Sequence, residues 1–264
     1  MSDQKGPKRP KIIAITNQKG GVGKTTTAIN LGAELAAQLN NVLIVDIDPQ
    51  GNASTGIGVE ASERDLSTYD LLLENTPLHD VIHETEIEGL WIAPATTDLS
   101  SADIELSASE NRSKMLYNAL RAPDVRTLNL DYILIDCPPS LSLLTVNAMV
   151  AADTVLVPLQ SEFYALEGLS QLMLTLREVR EAANPDLRIE GVVLTMYDKR
   201  NNLSHQVEAD ARENLGDLVF STVIPRNVRV SEAPSYAMPV SNYDPGSTGS
   251  MAYKALAREI LERQ

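Results

Sequence analysis

The chain has 264 residues, 43% of them hydrophobic and 22% charged, with a formal net charge of −14. That composition suits one large α/β domain and excludes wholesale disorder. The single cysteine, Cys137, excludes an internal disulfide framework and any zinc or cluster site needing several thiolates from one chain.

Met1–Pro10 is a short polar tail with Lys5, Lys8 and Arg9 and no apolar signal core. No apolar run further on reaches the roughly 18 residues of a membrane span, which points to a cytoplasmic chain. Residues 11–264 contain no linker and read as a single domain. Runs at Ile12–Thr16, Val42–Asp46, Leu90–Ala93, Tyr132–Asp136, Thr154–Leu159, Val192–Met196 and Val219–Ile224 predict strands. Several are apolar on both faces, as parallel strands covered by helices are. Helices are predicted over Thr25–Leu39, Leu141–Ala151, Ala165–Ala183, Ser204–Leu215 and Ser250–Arg263. The alternation predicts a doubly wound, mostly parallel α/β sheet with helices on both faces.

The first strand runs into Asn17-Gln18-Lys19-Gly20-Gly21-Val22-Gly23-Lys24-Thr25-Thr26-Thr27 and then a helix. A glycine loop between strand and helix lets backbone N–H groups converge on phosphate oxygens at the positive end of the helix dipole. Lys24 is placed to reach the terminal phosphates, and Thr25 to hold Mg²⁺ through its hydroxyl. The spelling departs from the usual phosphate loop. Gln18 stands where the first glycine belongs, and a second lysine, Lys19, precedes Gly20 and Gly21.

Two acidic strand ends follow. Asp46-Ile47-Asp48-Pro49 places carboxylates on the edge where open α/β sheets bind ligands. Asp48 is positioned to orient or deprotonate a water facing the terminal phosphate, while Asp46, on the strand itself, supports the loop. Tyr132–Asp136 ends in Asp136, which resembles a Walker B aspartate meeting Mg²⁺ directly or through its waters. Pro138-Pro139-Ser140 then forms a stiff loop suited to sensing a γ-phosphate. Cys137 reads as a buried small hydrophobe. His79 and His83 lack a completing ligand and read as surface residues.

Charge is unevenly spread. Residues 46–110 hold fifteen acidic side chains and one basic one, Arg64, which leaves the rest of the chain neutral. A nucleic-acid partner would therefore meet a surface away from that segment. Arg200, in Tyr197–Asn202, and Arg226 and Arg229, in Pro225–Arg229, both follow predicted strands and are candidates for such a surface.

The octet Lys19–Thr26 resembles the deviant Walker A box of the ParA/MinD family of P-loop ATPases. Asn17–Asn30, Val45–Gly58, Asp136–Pro139, Phe163–Gly168 and Ile224–Pro234 are all similar to the chromosomal ParA (Soj) branch. The resemblance implies an ATP-dependent homodimer that binds double-stranded DNA non-specifically and is stimulated by a ParB-like centromere-binding protein. It implies that Lys19 reaches the nucleotide of the partner subunit and that Gly20, Gly21, Val22, Gly23, Lys24, Thr25 and Thr26 cradle the phosphates. It also implies that Pro225 and Asn227 frame the adenine, and that Arg200 and Arg229 contact the DNA backbone, giving a nucleoid-associated cytoplasmic protein. The alternative within the family is a MinD-like ATPase that cycles on a membrane. The final helix, balanced in charge, reads instead as one that docks on the core.

Overall fold

Side chains alternate along a strand, so a strand covered on both sides must feed two cores. Strand β1 (Lys11–Ile15) does this, sending Ile12 and Ala14 into one core and Ile13 and Ile15 into the other. In the computed structural model, which describes residues 9–107, 111–162 and 165–263, β1 lies near the middle of one eight-stranded sheet. The others are β2 (Val42–Asp46), β3 (His83–Glu84), β4 (Leu90–Ala93), β5 (Tyr132–Asp136), β6 (Thr154–Gln160), β7 (Arg188–Tyr197) and β8 (Val219–Pro225). They run in the order β3-β4-β2-β5-β1-β6-β7-β8, and only β3 is antiparallel to its neighbour. Met1–Lys8 of the tail and Phe163–Tyr164 of the Phe163–Gly168 motif lie outside the described residues.

One face of the sheet carries α1 (Lys24–Ala36), α2 (Asn52–Gly56), α9 (Val228–Glu232), α10 (Val240–Tyr243) and α11 (Thr248–Glu262). The other carries α3 (Leu78–Val81), α4 (Leu99–Ser107), α5 (Met115–Leu120), α6 (Leu143–Ala151), α7 (Ala165–Ala182) and α8 (Asn202–Leu215). The expected doubly wound, mostly parallel sheet is present. All seven expected strands are there, β1 shifted one residue early and β7 beginning four residues early. The sequence reading missed β3 and the helices α2, α3, α4, α5, α9 and α10. The last helix docks by burying Tyr253, Leu256, Ala257 and Ile260. Among the described residues no helix is long and apolar enough to cross a membrane.

Candidate nucleotide-binding site

Parallel strands present their carboxyl ends along one edge, and the candidate residues gather there. Between β1 and α1 the loop turns on Gly21 and Gly23, at φ 74° and 86°. This is the left-handed region that only glycine enters cheaply, and Gly23 is the residue that leads into α1. The loop is pinned from its neighbours. Asn17 Nδ2 donates to the Pro158 carbonyl at 2.8 Å, and the Thr195 hydroxyl donates to the Val22 carbonyl at 2.8 Å. Asn17 Oδ1 accepts from the Lys19 N–H at 3.1 Å.

Lys24 opens α1 and is buried, its ammonium donating to the Lys19 carbonyl at 3.1 Å. Burial pulls its pKa below the ordinary lysine range, while Asp136 and Asp48 act against that shift. A buried cation at a helix N-terminus, with carboxylates in its electrostatic surroundings, is a receptor for a polyanion with a bound cation. Lys19 points elsewhere, its ammonium 2.6 Å from Glu162 Oε2 of the same chain.

Asp46 and Asp136 are register partners on adjacent strands, so two fully buried carboxyl groups share one level of the sheet. Asp46 is satisfied: Oδ2 accepts from the Ser54 N–H at 2.9 Å and hydroxyl at 2.7 Å, and Oδ1 from the Asp48 N–H at 3.1 Å. Burial nevertheless pushes its pKa up to about 6. It anchors the turn after β2 through Ser54 and Asp48, with no hydrogen bond to the phosphate loop among the described residues. Asp136 is different. Both of its oxygens are buried without a well-formed hydrogen bond, although the Thr25 hydroxyl is close enough to favour its charged form. Burial and then Asp46 raise its pKa well above the usual range, against the opposing influence of the Thr25 hydroxyl and the Lys24 charge. An orphaned carboxylate beside a threonine hydroxyl is an all-oxygen donor set that fits Mg²⁺ held jointly with phosphates.

Asp48 is almost fully buried at the start of the following turn, with Oδ1 accepting from the Gln50 N–H at 3.0 Å. On the other side of Gly23 and Thr26 lies a cavity of about 220 Å³ lined by Ile224, Pro225, Asn227 and Tyr253 among others. Asn227 caps α9, Oδ1 accepting from the Arg229 N–H at 2.8 Å, and its Nδ2 donates to the Thr248 hydroxyl at 2.8 Å. Larger clefts, about 720 Å³ beside Leu39 and about 590 Å³ beside Arg121, lie at the opposite edge of the sheet.

The two arginine loops are neighbours, joined where the Arg226 N–H donates to the Tyr197 carbonyl at 3.0 Å. Their charges are already partnered in part. Arg200 makes a fork to both oxygens of Asp198, at 3.1 and 3.0 Å. Arg229 pairs with Glu232 at 2.9 Å and Asp244 at 3.3 Å. Reading the sequence missed these carboxylates and Glu162. Asp198 was findable, two residues from Arg200; Glu162 is 143 residues from Lys19 and was not.

A family model described as an AAA domain matches residues 10–189. Over 255 residues the chain is 56% identical to the chromosome partitioning protein ParA of Caulobacter vibrioides, covering 96% of this chain and 95% of that one. It is 53% identical over 250 residues to the sporulation initiation inhibitor protein Soj of Bacillus subtilis, covering 95% and 98%. Among solved structures it is similar to cobyrinic acid a,c-diamide synthase from Mycobacterium smegmatis with bound ATP analog and magnesium. There the TM-score is 0.83 and the identity 34%, over 96% of this chain and 95% of that one. With identity of this depth along almost the whole length of both chains, the protein belongs to the ParA/Soj family of P-loop ATPases.

Proposed function

We propose that this chain is a DNA-partitioning ATPase. It dimerises with ATP, binds double-stranded DNA non-specifically as that dimer, and hydrolyses ATP when a ParB-like centromere-binding protein stimulates it. The observation that carries the nucleotide chemistry is the buried Lys24 ammonium, which opens α1 after the glycine turn and interacts electrostatically with Asp136 and Asp48. The partitioning role rests on the ParA and Soj relatives.

In this reading the amides of Gly20, Gly21, Val22, Gly23, Lys24, Thr25 and Thr26 hold the phosphates, and Lys24 neutralises their terminal charge. Pro225 and Asn227 border the cavity that takes the adenine. Thr25 and Asp136 hold Mg²⁺. When bound, that ion offsets charge on the β- and γ-phosphates. Asp48 orients the attacking water by accepting its hydrogen bond. Lys19 leaves Glu162 and reaches the partner subunit's nucleotide. Arg200, Arg226 and Arg229 contact DNA phosphates, which carry little sequence information. Two-fold pairing doubles that patch, so dimerisation switches DNA affinity through avidity.

The test is co-sedimentation of the protein with duplex DNA and, separately, with anionic liposomes, in ATP, ADP and no nucleotide. ATP-dependent binding to unrelated duplexes is expected, as is faster phosphate release when a ParB-like protein is added. ATP-dependent binding to liposomes with none to DNA would replace this reading with the membrane-cycling alternative.

A further inference from the structure

Arg64 is the only lysine or arginine between Asp46 and Glu110, and the nucleotide chemistry above gives it no task. Its guanidinium nevertheless makes one of the densest sets of hydrogen bonds near the site. Nη1 donates to the Ala95 carbonyl at 2.9 Å, and Nη2 to the Thr55 hydroxyl and the Val59 carbonyl, each at 2.7 Å. Nε adds a third bond direction, to the Val59 carbonyl at 3.2 Å. The group also packs flat against Gly51: a Cβ placed there would lie 2.4 Å from Nη1. Gly51 sits three residues after Asp48, at φ 61°, and its N–H donates to the Asp48 carbonyl at 2.8 Å.

These contacts close a circuit. The Asp48 N–H donates to Asp46, whose other oxygen takes both donors of Ser54. The Ser54 hydroxyl in turn accepts from the Ala95 N–H at 3.0 Å. Arg64 grips the Ala95 carbonyl and, through Thr55, the helix that contains Ser54. The turn bearing Asp48 is thereby held from both ends, from β2 by Asp46 and from α2 and the chain after β4 by Arg64.

We infer that Arg64 is a positioning residue for hydrolysis, its planar fork fixing the Asp48 turn at the distance the attacking water requires. The inference rests on the reading of Asp48 as the residue that orients that water. A lysine cannot replace the fork, since one ammonium does not span acceptors on both the α2 segment and the chain after β4. A displacement of about 1 Å at a reacting group costs on the order of a hundredfold in rate, without touching the groups that bind the nucleotide.

The experiment measures kcat and KM for ATP hydrolysis by the full chain with magnesium, alongside ATP affinity and ATP-dependent dimer lifetime. The variants are Arg64→Ala, Arg64→Lys, Thr55→Val and Asp48→Ala. Arg64→Ala is expected to lower kcat by about tenfold or more, with KM within about twofold and a longer-lived ATP dimer, because chemistry is lost and binding kept. Thr55→Val removes one arm only and should lower kcat by about two- to threefold; Arg64→Lys should fall between the two. If Arg64→Ala does not fold, Arg64→Lys and Thr55→Val carry the test. Wild-type kcat in the Arg64 variants overturns the inference, as does an equal loss of kcat and ATP affinity, the mark of general loosening. Normal turnover by Asp48→Ala would instead defeat the reading on which it rests.

Discussion

Lys19 and Glu162 form an ion pair of 2.6 Å within a single chain, tying the phosphate loop to the end of β6. Glu162 is further held by Gln160, whose Nε2 donates to its Oε1 at 2.5 Å. The two charged side chains are 40% and 47% exposed, so the pair contributes under about 1 kcal/mol and a phosphate can displace it.

Lys19→Gln should therefore leave the fold and monomer ATP affinity nearly unchanged, the latter within about twofold, while suppressing the ATP-dependent dimer. Light scattering with and without ATP checks this. A normal dimer from the folded variant would remove Lys19 from the partner's site.

Lys24→Ala deletes the buried ammonium that faces Asp136 and Asp48. The phosphates then lose their lysine counter-charge, so ATP affinity should fall by at least about a hundredfold, the worth of a charge-assisted contact or two. Calorimetric titration of the folded variant gives the answer. Unchanged affinity would mean that the phosphates bind elsewhere.

DNA binding should be electrostatic and indifferent to sequence. Two to three arginines per subunit in a dimer predict a slope of about −4 to −5 in log affinity against log salt. Arg200→Ala and Arg229→Ala should each flatten it by about two, since each change occurs twice. The Arg200–Asp198 fork adds a sharper expectation. Asp198→Asn releases Arg200 and should tighten DNA binding by up to about fivefold at low salt. A gel-shift salt series measures all three. Slopes equal to wild type in both arginine variants would move the DNA surface away from these loops.

Asp46 supplies a pH prediction. Its carboxyl is pushed up to about 6 by burial, against hydrogen bonds from Ser54 and Asp48, and Asp136 is raised in the same sense. An unfolded aspartate titrates near about 3.9. From about pH 4 to about pH 6 the native chain thus holds protons that the unfolded chain has released, and stability falls as pH rises through that window. Asp46→Asn should flatten the fall. Thermal melts of the nucleotide-free protein from pH 4 to 8 test this, and parallel profiles would contradict it.

The sheet was legible because its central strands are apolar on both faces, a pattern that buried parallel strands share with little else. β3 escaped because two residues, His83 and Glu84, are too few to show a period. α4 escaped because Leu99, Ala102 and Leu106 are spaced among serines and acids that read as loop. α8 begins at Asn202, two residues before the expected start, because the side chain of Asn201 caps it by accepting from the Leu203 N–H. The phosphate loop and both acidic strand ends could be located from local spelling alone. What no local pattern carries is the closure of distant segments: the cavity between Gly23 and Pro225, the Arg64 fork onto Ala95, and the pairing of Lys19 with Glu162.

The strand order has one more consequence. The segment richest in acids, residues 46–110, contains β3 and β4 and begins at the end of β2, so it occupies one flank of the sheet. The loops with Arg200, Arg226 and Arg229 follow β7 and β8 on the far flank. Charge is thus laid unevenly across the sheet, an acidic flank opposite one that is close to neutral, with the phosphate loop between them. Near any polyanion it feels a torque before it makes a contact, swinging the acidic flank outward and the arginine flank inward. A protein of charge −14 can in this way be repelled as a whole at long range and still present its least acidic flank at short range. Raising the salt would weaken that alignment together with the repulsion.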